Sequence, residues 1–136
     1  MQKQDLITTR LYIPSDKNFI MATFLRNIYY SNSWFKLIPK NIFMVGYHKV
    51  LEALLSSPAT SVQVACLKDD PEVILGYAVL GDTTRIHFVF IKKAWRKIGI
   101  AKSLVPPTIK VATHFTDVGL SYLSKHPEII YNPFAL

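Results

Sequence analysis

Residues 85–105, Arg-Ile-His-Phe-Val-Phe-Ile-Lys-Lys-Ala-Trp-Arg-Lys-Ile-Gly-Ile-Ala-Lys-Ser-Leu-Val, constrain the chain more than any other stretch. The first seven alternate and are rich in branched and aromatic side chains, as a buried strand requires. A short polar loop follows, then Arg96-Lys97-Ile98-Gly99-Ile100-Ala101, which runs into an apolar segment compatible with a helix. Strand, basic loop and helix start together make a place to hold a phosphate, because unpaired backbone N–H groups point outward there. Gly99 and Ala101 have no bulk to keep an anion away from those groups, and the flanking bases have the right sign.

Arg96-x-x-Gly99-x-Ala101 after a strand resembles the (Gln/Arg)-x-x-Gly-x-(Gly/Ala) element of the GCN5-related N-acetyltransferases. The resemblance implies that backbone and side chains from Arg96, Lys97, Ile98, Gly99, Ile100, Ala101 and Lys102 hold the pyrophosphate of acetyl-coenzyme A. It implies as well that the strand backbone at Ile91 pairs with the pantetheine arm. The chain looks like a short, divergent member, similar in that respect to small bacteriophage proteins of this fold.

One domain spanning residues 1–136 is expected, long enough to bury a sizeable core. Half the residues are apolar and 18% are charged, a balance that hints at an additional buried surface such as an interface between copies or within a larger assembly. No apolar run approaches the roughly 20 residues of a membrane span, so no membrane partner is expected. Met1-Gln2-Lys3-Gln4-Asp5 lacks the apolar core of a signal peptide. Cys66 is the single cysteine, so no internal disulfide forms, and a reducing, cytoplasmic setting is the default.

The net charge of +7 is unevenly distributed. Between Asp82 and Asp117 there is no acid, but there are seven bases: Arg85, Lys92, Lys93, Arg96, Lys97, Lys102 and Lys110. A block of charge is commonly no more than a solvated face. Here it surrounds the anion-shaped loop, which favours a polyanionic ligand.

In chain order, Leu6–Ile13 reads as a strand ended by Pro14, and Ser15 or Asp16 can cap a helix over Asp16–Tyr30. Trp34, Phe35, Leu37 and Ile38 fall in a loop and are expected to pack over the core. Pro39 opens a second amphipathic helix through Ser56. Val62–Lys68 and Val73–Leu80 form a hairpin, followed by the strand at 85–91. Pro106-Pro107 keep the next helix short. Ile109–Phe115 reads as a strand, Thr116 or Asp117 as the cap of a helix to Lys125, and Ile129–Tyr131 as a last strand. This is an α/β (α+β) arrangement, a mixed, mostly antiparallel sheet flanked by about four helices. It has the order of the acetyltransferase fold over nearly the whole chain. That family usually closes with two C-terminal strands, and here there is room for one, so a last strand is either missing or supplied by a partner.

Acyl transfer to an amine needs a base, a stabilised oxyanion and a proton for the leaving thiolate. Histone-type members of the family carry a glutamate where this chain has Arg85, which cannot act as a base. Arylalkylamine-type members are similar in carrying a histidine at the position of His87. A histidine titrating near neutrality can serve, although a lone histidine on an apolar strand is more commonly a packed core residue. The family's general acid is a tyrosine late in the helix after strand five; alignment puts Leu123 there and Tyr122 one residue earlier, about 100° away. Tyr131 is a weaker candidate. The four histidines share no metal-ligand spacing.

The expected function is therefore an acetyl-coenzyme A-dependent N-acyltransferase acting on a small-molecule or protein amine, with His87 and Tyr122 as catalytic candidates. The alternatives are a non-catalytic binding or assembly protein of the same fold, then a basic nucleic-acid binder with Trp95 stacking on bases.

Overall fold

A computed structural model describes residues 2–114, 116 and 122–136. Strand β1 (Ile7–Leu11) is followed by helices α1 (Lys17–Ser31) and α2 (Lys40–Ser56). Then come β2 (Ser61–Leu67), β3 (Ile74–Leu80), β4 (Arg85–Ile91), helix α3 (Ile100–Leu104), β5 (Val111–Ala112) and β6 (Ile130–Tyr131). The strands form one six-stranded sheet in sequential order. β1 to β4 are antiparallel neighbours, whereas β5 and β6 each run parallel to the strand before them.

Every residue of β3 is buried, because helices cover both faces of the sheet. Ile20, Phe24 and Ile28 of α1 and Leu51 of α2 pack on one face against Val64, Tyr77, Val79 and Phe88. Ile100 and Leu104 of α3 pack on the other against Ala65, Leu75, Ala78 and Ile86. Two bulges decide which residues reach which face. The first lies where the β2–β3 register slips between Ala65 and Cys66, and it sends Leu75 and Tyr77, two residues apart, into opposite cores. The second lies in β4: Val79 opposes Phe88 but Leu80 opposes Ile86, which leaves His87 as the extra residue.

Buried polar groups on the α1 side are paired. The Tyr77 hydroxyl lies 2.6 Å from Thr23 Oγ1 and 3.2 Å from the Ile20 carbonyl, and burial pushes its pKa far up. Tyr77→Phe removes one member of this pair but keeps the ring, so we expect a loss of about 1 kcal/mol in urea unfolding with an unchanged slope.

The structure corrects several local expectations. Asp16 does not cap α1, because its carboxylate is already bound to the Arg10 guanidinium at 2.8 and 2.9 Å and to the Ile13 N–H at 2.9 Å. Of the four apolar loop residues, Phe35 and Ile38 join the core, while Trp34 and Leu37 are exposed. The strand expected over Ile109–Phe115 is only Val111–Ala112; Ile109 is instead in a turn donating to Pro106, and Phe115 lies outside the described residues. The cap at Asp117 also lies outside them, and residues 122–125 are helical. Among the described residues β6 closes the sheet directly beside β5. No helix among them is long and apolar enough to cross a membrane.

Candidate active site

The site is built where β4 and β5 part. Their parallel pairing covers only Arg85–Val111 and Ile86–Ala112, so β4 runs on to Ile91 without a neighbour on that edge from β5. The Lys92 N–H donates to the Leu75 carbonyl across to β3. Ile91, one residue earlier, therefore turns its own backbone groups to the open edge. Its carbonyl accepts from Arg96 Nε at 2.9 Å, which ties the loop back to the end of the strand.

After the 3₁₀ turn Lys93–Trp95 the chain passes through Lys97 at φ 68° and Gly99 at φ 93°. Both lie in the left-handed region, which lysine occupies at a cost and glycine freely. A side chain added at Gly99 would meet nothing within 4 Å, so the space beside its backbone is open. This loop and α3 line a cleft of about 360 Å³. Ile91, Arg96, Lys97, Gly99, Ile100, Ala101 and Lys102 contribute to it, as does Tyr122 from the far side. Among the described residues, four cations (Arg96, Lys97, Lys102 and Lys125) and no carboxylate line the cleft. With five residues α3 has little dipole of its own, so loop amides and side-chain charge provide the attraction for an anion.

Ile98 is the one predicted loop residue that the cleft excludes. Between two left-handed neighbours its side chain turns the other way, into a groove with Gln4, Ile7 and Thr9. Two lining residues were not anticipated there. Lys125 lies three residues beyond Tyr122 on the same helical turn. Trp95 packs with the α3-side core and carries the Lys3 ammonium 4.6 Å from its ring centre. That ring face therefore holds a cation rather than standing bare.

A second, narrow cavity of about 50 Å³ adjoins the cleft at Ala101 and Tyr122, and His87, His114 and Leu123 line it. Tyr122 thus sits at the junction, its ring stacked on His126 at 4.2 Å, while Leu123 faces the apolar cavity and the α3-side core. Burial, then Glu128, pushes the Tyr122 phenol up. His87 is 3% exposed, and its Nδ1 lies 2.7 Å from Thr113 Oγ1. Burial first and Arg85 second push its pKa down to about 4, against the opposing pull of Asp82. The ring is therefore neutral at pH 7 and does not titrate near neutrality as the sequence suggested. Among the described residues no three histidine, cysteine or carboxylate side chains cluster as metal ligands.

No family model and no curated protein sequence matches the chain. The fold does match solved structures. A protein from Pyrococcus furiosus provisionally named an acetyl transferase is similar over 92% of this chain and 79% of its own, with a TM-score of 0.51 at 16% identity. Another from Clostridium difficile 630, named on the same footing, matches over 93% of this chain and 78% of its own, with a TM-score of 0.50 at 14% identity. The chain has the fold of the GCN5-related N-acetyltransferases. These two matched proteins are archaeal and bacterial and lend no support to a phage-like source.

Proposed function

We propose that this chain is an acyl-coenzyme A-dependent N-acyltransferase, transferring acetyl to a small-molecule or protein amine in the cytoplasm. The observation that carries the reading is the cleft itself, a cavity at the open end of β4 that, among the described residues, is lined by four cations and no carboxylate. A diphosphate fits this donor set, since the loop offers room at Gly99 and positive charge around it. The Ile91 N–H on the open edge is available to an extended amide-bearing arm, while its carbonyl is held by Arg96, and Gly99, Ile100 and Ala101 offer amides to the phosphates.

Bound acetyl-coenzyme A supplies an activated thioester. The chain orients it between the loop and Tyr122 and keeps water from the apolar cavity beyond. In this reading Tyr122, a phenol whose pKa burial raises further, donates a proton at the junction of the two cavities. In the same reading His87, neutral in the narrow cavity, accepts one from the amine.

The 3% exposure of His87, together with Arg85 in place of a carboxylate, favours a second reading: a cofactor-binding but non-catalytic protein of the same fold. Calorimetric titration with acetyl-coenzyme A, with single-stranded DNA as comparison, tests the first step. We expect saturable binding of the cofactor and only weak, salt-labile binding of DNA. Absence of cofactor binding, or DNA binding that persists at physiological salt, overturns the proposal. Cofactor binding without acylation of any amine in a broad acceptor screen selects the second reading.

A further inference from the structure

Where the β4–β5 backbone ladder stops, a side-chain bridge begins. The last backbone link is the Thr113 N–H to the Ile86 carbonyl at 3.0 Å. Immediately beyond it, Thr113 Oγ1 lies 2.7 Å from His87 Nδ1 and 2.9 Å from His114 Nδ1. Among the described residues these two nitrogens are the partners of that hydroxyl. Thr113 is 2% exposed and His87 3%, and both rings face the narrow cavity. His114 is the more open end, half-buried with its ring edge-on to Phe24 and Tyr47 on the α1 and α2 side.

Counting hydrogens limits what this bridge can be. A hydroxyl has one hydrogen to give, so it can donate to only one of two neutral imidazoles. That ring has a bare Nδ1 and carries its proton on Nε2. The other ring must donate its own Nδ1–H to the hydroxyl oxygen, which leaves its Nε2 bare and basic. The two histidines are therefore held in opposite tautomers.

We propose that His87, Thr113 and His114 form a proton relay across the fork between β4 and β5. Its role in amine deprotonation rests on the acyltransferase reading. A proton arriving on the bare Nε2 of His87 makes that ring cationic. The His87 Nδ1 proton then passes to Thr113 Oγ1, whose own hydrogen passes to His114 Nδ1. His114 then gives up its Nε2 proton. One proton enters, one leaves, and the two tautomers have exchanged. His87 contacts the reacting amine; Thr113 and His114 act through it as positioning residues. Gly81 belongs to the device, because a side chain there would lie 2.8 Å from His87 Nε2 and push the ring off the bridge.

Imidazole nitrogen chemical shifts on uniformly ¹⁵N-labelled protein at pH 7.5 test the bridge without any substrate. His87→Gln and His114→Gln identify the two signals. We expect one ring protonated at Nδ1 and the other at Nε2, with this opposition lost in Thr113→Val and restored in Thr113→Ser. The same tautomer at both rings, or a Thr113→Val spectrum like the wild type, overturns the relay. In the acylation assay Thr113→Val should bind acetyl-coenzyme A as the wild type does, yet turn over about 10²-fold more slowly. Wild-type turnover in that variant overturns the relay and leaves the cofactor site intact. Failure of the wild type to bind acetyl-coenzyme A overturns the acyltransferase reading and the relay's part in it, while the nitrogen shifts still decide the bridge.

Discussion

Gly99→Glu is expected to weaken acetyl-coenzyme A binding by roughly 100-fold, about 2.8 kcal/mol, in a protein that still folds. Two effects combine at this position. The backbone lies at φ 93°, where most side chains are strained by about 1 kcal/mol. The new side chain meets open space rather than a neighbour, so it extends into the cleft instead of disturbing the core. Its charge then stands where the phosphates are expected, among four cations that it partly neutralises. Gly99→Gln has the same size and the same strain without the charge, and Gly99→Asn relieves most of the strain because asparagine tolerates the left-handed region. Calorimetry on the three variants, with melting curves as the check on folding, should rank them Asn, Gln, Glu in order of falling affinity. Glutamate binding the cofactor as tightly as glutamine would show that no anion sits at this loop.

Much of this site was legible because its information is local. The alternation of residues 85–91, the Arg96-x-x-Gly99-x-Ala101 pattern and the Pro106-Pro107 stop each act within a few residues, and β4 and α3 lie where those signals put them. The left-handed conformation of Gly99 follows from residue type. What the sequence hid are consequences of pairing between distant segments. The bulge that sets His87 apart arises from how β4 docks on β3, and nothing in the order Arg85-Ile86-His87-Phe88 announces it. For the same reason His114 had no visible role: its neighbour Thr113 meets His87, 26 residues away, through a hydroxyl, and the parallel register of β5 decides that meeting. The outward turn of the Ile98 side chain was not legible either, because Lys97 takes a positive φ that lysine's own preferences disfavour. Asp16 looked like a cap by type and position, but an arginine on β1 claimed its carboxylate.

The same two histidines should make the fold sensitive to mild acid. Burial is the main cause for each, and both pKa values fall to about 4; Arg85 adds to the effect at His87, and His87 adds to it at His114. In the unfolded chain a histidine titrates near 6.5. Between about pH 4 and 6.5 the unfolded state therefore binds more protons than the folded one, and stability must rise with pH across that window. The contribution is complete above 6.5 and is lost as pH falls toward the folded values. Each histidine can contribute up to about 1.4 kcal/mol per pH unit while it titrates only in the unfolded state. The buried carboxylate of Asp16 has its pKa lowered from the ordinary 3.8 by Arg10, so its own acid sensitivity begins lower. Urea unfolding at pH 7.5, 6 and 5 isolates the histidine window. We expect a loss of roughly 2–3 kcal/mol between pH 7.5 and 5 in the wild type, about half of it removed in His114→Gln, whose side chain cannot become charged on unfolding. A wild-type stability that stays flat from pH 7.5 to 5 would mean that the two rings are charged, or exposed, in the folded protein. Two cationic rings could not share the single Thr113 hydroxyl as donor and acceptor, so that outcome would dissolve the bridge along with the pH dependence.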